Sequence, residues 1–160
     1  MKLLGDAFEY NAWATLQLGG VCRRLPAPQL TGQQEWQYRS ILGLWQHIDE
    51  VERGYLRLMG AASLPQPGAG LDGYLDSSGA CGAVFASFAA SLDDAALGRM
   101  FTVPWFERDF TVADGLFQVV THSIQHRADI AHFLSRLGYD TPAIDYIAWI
   151  CLRDGGTPSG

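Results

Sequence analysis

Two histidines four residues apart, His122 and His126, are the side chains of this sequence whose type and spacing are best suited to chemistry. On an α-helix, side chains four residues apart lie one above the other on the same face. A buried imidazole without a hydrogen-bond partner costs about 1–3 kcal/mol. Two imidazoles one turn apart could share one partner, a metal ion, and we favour this interpretation over an ordinary pair of core histidines. The rest of that face is apolar: Val112, Leu116, Val119, Ile130, Phe133 and Leu137.

A third ligand for such a metal has to come from another segment. His47 lies on the flank of an apolar helical stripe, between Leu44 and Val51. Taken alone, a histidine there is typical of the boundary of a core, but it is the best partner for the pair. His132 follows His126 by six residues, which places it about 120° around the helix, so we expect it to face away.

Three neutral imidazoles with one or two open positions suit a divalent transition metal, and zinc, nickel, iron and manganese all accept nitrogen ligands. Water in an open position would have its pKa lowered to about 7. Asp129 lies beside the same helix face as His126. It could orient a ligand imidazole or act on bound water. We favour the alternative, in which it is a surface carboxylate paired with Arg127 or Arg136.

Four segments with helical periodicity are expected to position these residues, over about 3–24, 40–59, 76–92 and 111–137. Ser40 is a plausible N-cap, and Thr111 with Asp114 resembles a capping box. Gly138 suits a left-handed stop, and Thr141 followed by proline predicts a short last helix to about residue 152. We expect connections over 25–38 and 60–74, and an irregular or short extended crossover over 101–110.

The fold class that follows is all-α: an antiparallel four-helix bundle with a short fifth C-terminal helix. We expect one domain over residues 1–153 and a flexible tail over 154–160. Short connections favour antiparallel neighbours, and the longer link before the last long helix permits a crossover. Asn11 is either a core amide bonded to backbone or a residue near a polar site. We expect a solvated face in the second helix, formed by Asp49, Glu50, Glu52, Arg53 and Arg57.

The composition excludes several classes of function. The net charge of −6 disfavours nucleic acid and anionic membranes as partners, and no apolar run reaches the roughly 18 residues of a membrane span. We find no secretory signal at the N-terminus. Three cysteines far apart fit a reducing cytoplasm. Ser123 stands where a zincin peptidase requires glutamate, and the sequence contains neither a phosphate-binding glycine loop nor a nucleophile elbow.

Three stretches of the sequence resemble the DinB/YfiT-like metalloenzyme family, in matching order and over nearly the whole chain. The first is the opening stretch 10–14, Tyr-Asn-Ala-Trp-Ala, and the second runs from 40 to 52. The third, 122–127, reads His-Ser-Ile-Gln-His-Arg and continues to Asp145. The residues that carry the second and third stretches are Ser40, Ile41, Leu42, His47, Ile48, Glu52, Ile130, Leu134, Leu137, Gly138, Pro142 and Asp145.

The resemblance implies a four-helix bundle that holds a divalent metal with three histidines, which here are His47, His122 and His126. It also implies a homodimer. Some members of the family are transferases or isomerases that use a low-molecular-weight thiol such as bacillithiol or mycothiol. At 128–129 this sequence has Ala-Asp where the family often has Gly-Gln, which places a carboxylate near the site.

Three functions remain open from the sequence. In the first, the metal lowers the pKa of a thiol for transfer to a small-molecule electrophile, or for isomerisation. In the second, the metal activates water for hydrolysis, with Asp129 as the obvious general base. In the third, the chain is a non-enzymatic stress protein that binds a metal or a small ligand. Trp105 and Phe106, in the crossover, are the best candidates for a lid or a substrate wall.

Overall fold

The computed structural model describes residues 2–61, 64 and 66–157, and this part of the chain is mostly helical. Residues 62, 63 and 65 of the expected loop and 158–160 of the expected tail lie outside the described residues. The elements, in order, are α1 (Lys2–Cys22), α2 (Ala27–Thr31), α3 (Ile41–Leu58), α4 (Gly70–Ser91), α5 (Asp94–Leu97), β1 (Met100–Val103), β2 (Arg108–Thr111), α6 (Val112–Arg136) and α7 (Tyr146–Arg153). None of the helices in the described ranges combines the length and apolar character needed to cross a membrane.

The two helices that carry the histidines begin where the sequence predicts. The Ser40 side chain accepts a hydrogen bond from the Gly43 backbone N–H and caps α3. At the start of α6, Thr111 and Asp114 form a reciprocal capping box. Beyond its end, Gly138 adopts a φ of 85°, which suits glycine because it has no Cβ. Local chemistry therefore sets both ends of the long helix α6.

Four long helices, α1, α3, α4 and α6, enclose the core, so the expected fold class is confirmed. Antiparallel contacts join α1 to α4: Phe8 stacks on Phe85 with ring centroids 4.7 Å apart, and Gly19 lies against Leu75. Antiparallel contacts also join α3 to α6, where Met59 lies against Gly115 at one end and His47 meets the α6 histidines farther along. Fully buried side chains such as Leu18, Leu44 and Leu116 fill the interior.

Two consecutive helices, α3 and α4, run in the same direction, so the expectation that short connections join antiparallel neighbours is wrong for this pair. The N-terminal parts of both helices share one core cluster and their C-terminal parts share another, as shown by Ile41, Leu44, Leu71 and Leu75 in the first and Leu56, Met59, Phe85 and Ala89 in the second. A connection over 59–69 can span about 36 Å, which exceeds the length of about 27 Å for α3. The chain can therefore return along the whole helix.

The remaining differences from the sequence-based expectations lie at element boundaries. Helix α4 begins at Gly70 rather than near 76, because Leu71 and Leu75 extend the buried face of the helix. The expected connection over 25–38 contains the short helix α2. Helix α7 begins at Tyr146 rather than at Thr141, because the Tyr10 hydroxyl holds the Ile144 carbonyl in a non-helical segment.

The expected crossover before α6 is a β-hairpin. Strands β1 and β2 pair antiparallel, with Met100 opposite Thr111 and Val103 opposite Arg108. A single 3₁₀ turn over Pro104–Phe106 joins them. Phe101 anchors the hairpin against Gly115 of α6, where a Cβ would come within 2.7 Å of the ring. The glycine therefore lets the hairpin pack closely against the end of the bundle, with Trp105 at its tip.

Candidate metal centre

Three imidazole rings meet between α3 and α6. Helix α6 supplies His122 and His126 from successive turns, and α3 supplies His47. The Nε2 atom of His122 lies 3.2 Å from Nε2 of His47 and 3.1 Å from Nε2 of His126. One ligand-capable atom from each of the three residues lies within 4.8 Å of the other two. The structure therefore brings together the three residues that the sequence predicts as ligands.

These separations suit a single cation. Ligand nitrogens about 2.0–2.1 Å from a metal, at angles between octahedral and tetrahedral, lie about 2.8–3.4 Å apart. Burial, with a smaller contribution from Arg39, lowers the pKa of His47. Burial and the two neighbouring rings lower the pKa of His122 to about 4. Both rings are therefore neutral at pH 7, which is the form that binds a metal.

The other nitrogen of His126 is held from behind by two polar side chains. Its Nδ1 lies 3.1 Å from Oδ2 of Asp129 and 2.8 Å from the hydroxyl of Tyr38. That hydroxyl donates a hydrogen bond of 2.9 Å to the same Asp129 oxygen. Burial and the hydrogen bond to Asp129 raise the pKa of Tyr38 to about 12, so the phenol keeps its proton. When Nδ1–H of His126 donates to this carboxylate, Nε2 keeps its lone pair for a metal.

The expectation that Asp129 pairs with Arg127 or Arg136 is wrong. Three residues along a helix place Asp129 directly beside His126. Arg127 points into the core, where it is 1% exposed. Arg136 instead lies over the ring of Trp36, at 4.7 Å from the ring centroid. Asp129 therefore takes the alternative role, in which it orients a candidate ligand.

The fourth histidine, His132, and the Nδ1 atom of His122 lie outside the group of converging nitrogens. His132 is exposed and contacts the ring of Phe133, away from the other three histidines, as its spacing predicts. The buried Nδ1 of His122 has no hydrogen-bond partner in the described part of the chain. Of His122 and His126, only His126 therefore has its orientation and proton position held by protein groups in that part.

Known proteins resemble this chain in sequence family and in fold. The model of the DinB family matches residues 1–153. The chain belongs to the DinB family. No curated protein matches the chain.

Solved structures share the fold of this DinB-family chain at low sequence identity. YfiT from Bacillus subtilis, described as a probable metal-dependent hydrolase with an unusual four-helix bundle topology, superimposes with a TM-score of 0.71 at 16% identity, covering 88% of this chain and 90% of YfiT. A DinB-like protein from Bacillus cereus has a TM-score of 0.62 at 14% identity, covering 82% and 90%. The DinB-like protein YjoA from Bacillus subtilis has a TM-score of 0.62 at 9% identity, covering 87% and 97%. At these identities the likeness shows the shared fold alone.

The DinB-family bundle also buries a second polar cluster, which the sequence interpretation missed. Glu52 was expected on a solvated face, yet it is 1% exposed. Its Oε1 accepts hydrogen bonds from Asn11 at 2.9 Å and Ser123 at 2.8 Å, and its Oε2 accepts one from Ser78 at 2.7 Å. Burial raises the pKa of this carboxyl, although the three donors oppose the shift. We call these four residues, together with Arg127, the glutamate cluster.

Arg127 completes the glutamate cluster from α6. Its Nη1 donates a hydrogen bond of 2.6 Å to Oδ1 of Asn11. The two possibilities for Asn11 are therefore resolved, because its amide joins two buried charged side chains rather than backbone alone. One signal could have found Glu52: it follows the buried Ile48 by four residues and precedes the buried Tyr55 by three, which places it on the inward stripe of α3.

Asp49 is the other residue wrongly assigned to the solvated face. It is 2% exposed, and its carboxylate lies 3.9 Å from the Nε of Arg53. Burial raises the pKa of Asp49. Glu50 and Arg57 are exposed, as expected. The polar face of α3 is therefore narrower than the charges suggest, because two carboxylates turn into the bundle.

The open side of the histidine centre is a cavity of about 450 Å³. His47 and His122 line this cavity together with Tyr55, Trp105 and Phe106. Trp105 and Phe106 are 60% and 61% exposed, so most of their apolar surface faces solvent or the cavity. The two residues predicted as a lid or wall therefore lie beside the candidate metal centre.

Proposed function

We propose that this DinB-family chain is a metal-dependent enzyme, a thiol S-transferase or isomerase, with its divalent metal held by His47, His122 and His126. The observation that carries the proposal is the convergence of three Nε2 atoms, 3.1–3.2 Å apart in successive pairs, at the wall of a cavity. A site that only stabilised the fold would have no need of such an opening.

The chain's own residues fit the needs of a bound cation. A divalent cation at this point would supply Lewis acidity and lower the pKa of a thiol or water molecule in an open coordination position. Asp129 and Tyr38 hold the Nδ1 side of His126, which aims its Nε2 at the shared point. The low pKa of His122 keeps its ring neutral. Trp105 and Phe106 contribute apolar surface to the lining of the cavity.

The position of Asp129 supports thiol chemistry over hydrolysis. Its carboxylate is committed to His126 and Tyr38, behind the ring and not among the residues that line the cavity. Hydrolysis requires a general base beside the attacking water. A thiol that coordinates a divalent metal loses its proton outright and needs no such base.

The test is to measure thiol consumption by the metal-loaded protein with bacillithiol, mycothiol or cysteine and an electrophilic aryl halide. Elemental analysis of protein purified without a nickel column first identifies the metal to be used. We expect turnover in the wild type and in His132→Ala, and none in His126→Ala. If no thiol is consumed, and thiols leave the visible spectrum of the cobalt-substituted protein unchanged, the thiol proposal is wrong.

Metal-dependent hydrolysis is the second candidate, and one observation favours it. Glu50, three residues after His47, lines the same cavity as the histidines and supplies a carboxylate on the open side. YfiT is described in the same terms. If hydrolysis is the activity, Glu50→Gln abolishes it while metal content is retained, whereas Glu35→Gln, a surface control in another segment, leaves it unchanged. Equal ester hydrolysis by the wild type and Glu50→Gln would show that Glu50 is not the general base.

A further inference from the structure

The cavity beside the histidines has a second cavity next to it. The first, which we call the histidine chamber, is lined by His47, His122 and Trp105 among others. The second, which we call the aromatic chamber, has a volume of about 390 Å³ and lies between the hairpin and the start of α6. Both are lined by Tyr55, Phe106 and Gln118, so the two chambers adjoin along a shared wall, and we call them together the cleft.

Aromatic side chains dominate the second chamber. Phe101, Phe106, Phe110 and Phe117 line it together with Tyr55. Neighbouring rings meet edge to face: Phe106 and Phe110 have centroids 5.9 Å apart at 70°, and Tyr55 and Phe101 have centroids 6.1 Å apart at 77°. Phe106 and Phe117 remain 61% and 70% exposed, so much of their surface has no protein neighbour. Such surfaces favour another aromatic ring as ligand.

The charge at the aromatic chamber disfavours an anionic ring. Asp114 is the only ionisable carboxylate among the described residues that line it. Its carboxylate is occupied, because Oδ2 accepts hydrogen bonds from the backbone N–H and the hydroxyl of Thr111 in the α6 cap. Gln118, at the junction of the chambers, is a neutral hydrogen-bonding group. The hydrogen bonds from Thr111 lower the pKa of Asp114, so its carboxylate stays ionised and would repel an anionic ring.

We propose that the substrate carries an aromatic ring without negative charge that binds in the aromatic chamber, while its reactive group reaches the histidine chamber. The position of the reactive group rests on the proposed metal-dependent function. Ring binding depends only on the cleft, so it can be tested without a metal.

The first experiment measures binding of naphthalenemethanol to the metal-free protein by calorimetry, with its saturated decahydro analogue as the matched ligand. We expect the aromatic compound to bind roughly three- to tenfold more tightly than the analogue. Phe106→Ala should lose a similar factor. Ile147→Ala removes an apolar side chain of comparable exposure on α7 and should bind like the wild type. Equal affinity for both compounds, or an unchanged affinity in Phe106→Ala, would overturn the proposal.

The second experiment tests whether the two chambers hold one ligand. Gly54 lines the histidine chamber, and a Cβ built there meets no atom within 4 Å. Gly54→Leu therefore fills that chamber and also improves the helix propensity of α3. Gly79→Leu, at an equally open glycine of α4, is the matched control. In the metal-loaded protein, Gly54→Leu should weaken naphthohydroxamic acid, whose hydroxamate binds metals, by roughly tenfold, and Gly79→Leu should not.

The outcomes separate the two proposals. If Gly54→Leu leaves the hydroxamate affinity unchanged, the ligand does not extend into the histidine chamber and the inference fails. If the ring binds the metal-free protein selectively but the purified protein takes up no metal, the proposed function fails and the aromatic site stands. If metal binds to the three histidines but the ring does not bind, the aromatic site fails and the metal centre stands.

Discussion

The bundle contains two polar clusters side by side, the histidine centre and the glutamate cluster, and they differ in how their polar atoms are paired. On α6 the residues alternate: His122 and His126 join the first cluster, and Ser123 and Arg127 join the second. In the glutamate cluster, both carboxylate oxygens of Glu52 have donors. In the histidine centre, imidazole nitrogens face one another beside a cavity.

This difference in hydrogen-bond pairing indicates the role of each cluster. Buried polar groups that satisfy one another tie helices together and fix their register, because leaving any one unpaired is costly. The glutamate cluster joins all four long helices through Asn11, Glu52, Ser78 and Arg127, and among the described residues only Nε and Nη2 of Arg127 in this cluster lack a hydrogen-bond partner. In the histidine centre, the Nε2 atoms face only one another within the described part of the chain, so a ligand from outside the chain would have to bind them. We infer that the glutamate cluster stabilises the scaffold and that the histidine centre is the functional site.

The largest effect is expected from removing a candidate ligand. His126→Ala should lose bound metal, with an affinity at least about 100-fold lower, because two imidazoles remain and the orienting pair has nothing to hold. Elemental analysis after gel filtration measures the loss. His132→Ala removes an exposed histidine of the same helix and should keep its metal. Equal metal content in both variants would break the assignment of the first cluster as a binding site.

Removing a partner from the glutamate cluster should cost stability instead. Arg127→Met removes the cation that favours the charged form of Glu52 and the donor to Oδ1 of Asn11, so we expect the free energy of unfolding to fall by about 3–5 kcal/mol. Urea denaturation of the metal-free protein measures it. Arg136→Met, which removes a surface guanidinium that lies over Trp36, should cost less than about 1 kcal/mol. If Arg127→Met changes the free energy of unfolding little but loses all bound metal, the glutamate cluster and not the histidine centre supports metal binding.

A smaller effect on metal binding is expected from the groups behind His126. Asp129→Asn removes the charged acceptor of Nδ1 and should weaken metal affinity about 10- to 100-fold without unfolding the bundle. Tyr38→Phe keeps the carboxylate and should weaken it less. Competition with a chromophoric chelator gives both affinities, with Asp140→Asn as a surface control. If Asp129→Asn binds metal as the wild type does, its hydrogen bond does not orient the ligand.

The smallest effect concerns the stability of the metal-free protein at acid pH. The folded-state pKa of His122, about 4, is lower than its ordinary value of 6.5, because of burial and the neighbouring rings. The folded state therefore binds fewer protons than the unfolded state between these values. The contribution of the neutral His122 ring to the free energy of unfolding is complete above about pH 6.5 and is lost as the pH falls towards about 4.

The pH dependence is measured by urea denaturation of the metal-free protein at several pH values. Comparison with His122→Gln isolates this histidine, since Glu52 and Asp49, whose pKa values are raised, contribute equally to both proteins. The wild type should lose more stability than His122→Gln between pH 6.5 and pH 4.5. Parallel curves would show that the His122 ring titrates normally in the fold.

Much of the site could be predicted because its signals are local. The four-residue spacing of His122 and His126 on an apolar face follows from helical geometry, and so does the exclusion of His132. Thr111, Asp114 and Ser40 mark their helix starts because caps depend on nearby backbone groups. His47 was identified as a third ligand by its position at the edge of a stripe and by the family resemblance, and its distance from the pair was beyond sequence reasoning.

The errors share one physical cause. Asp129, Glu52 and Asp49 were interpreted from their charge, which by itself favours a solvated surface. In the fold each has partners, and the partners of Glu52 come from α1, α4 and α6. A charge can be buried only when the arrangement of other helices supplies donors, and that arrangement is not visible in local periodicity.

By itself, the sequence determined the helices, their capped ends and the pair of histidines on one face, because these depend on residues within a few positions of one another. Only the tertiary structure decided that His47 meets the pair, that Tyr38 and Asp129 hold the ring of His126, and that Glu52 lies inside the bundle. It also decided where the hairpin places its aromatic rings. These features arise from contacts between residues tens of positions apart, whose distances are set by how whole helices pack.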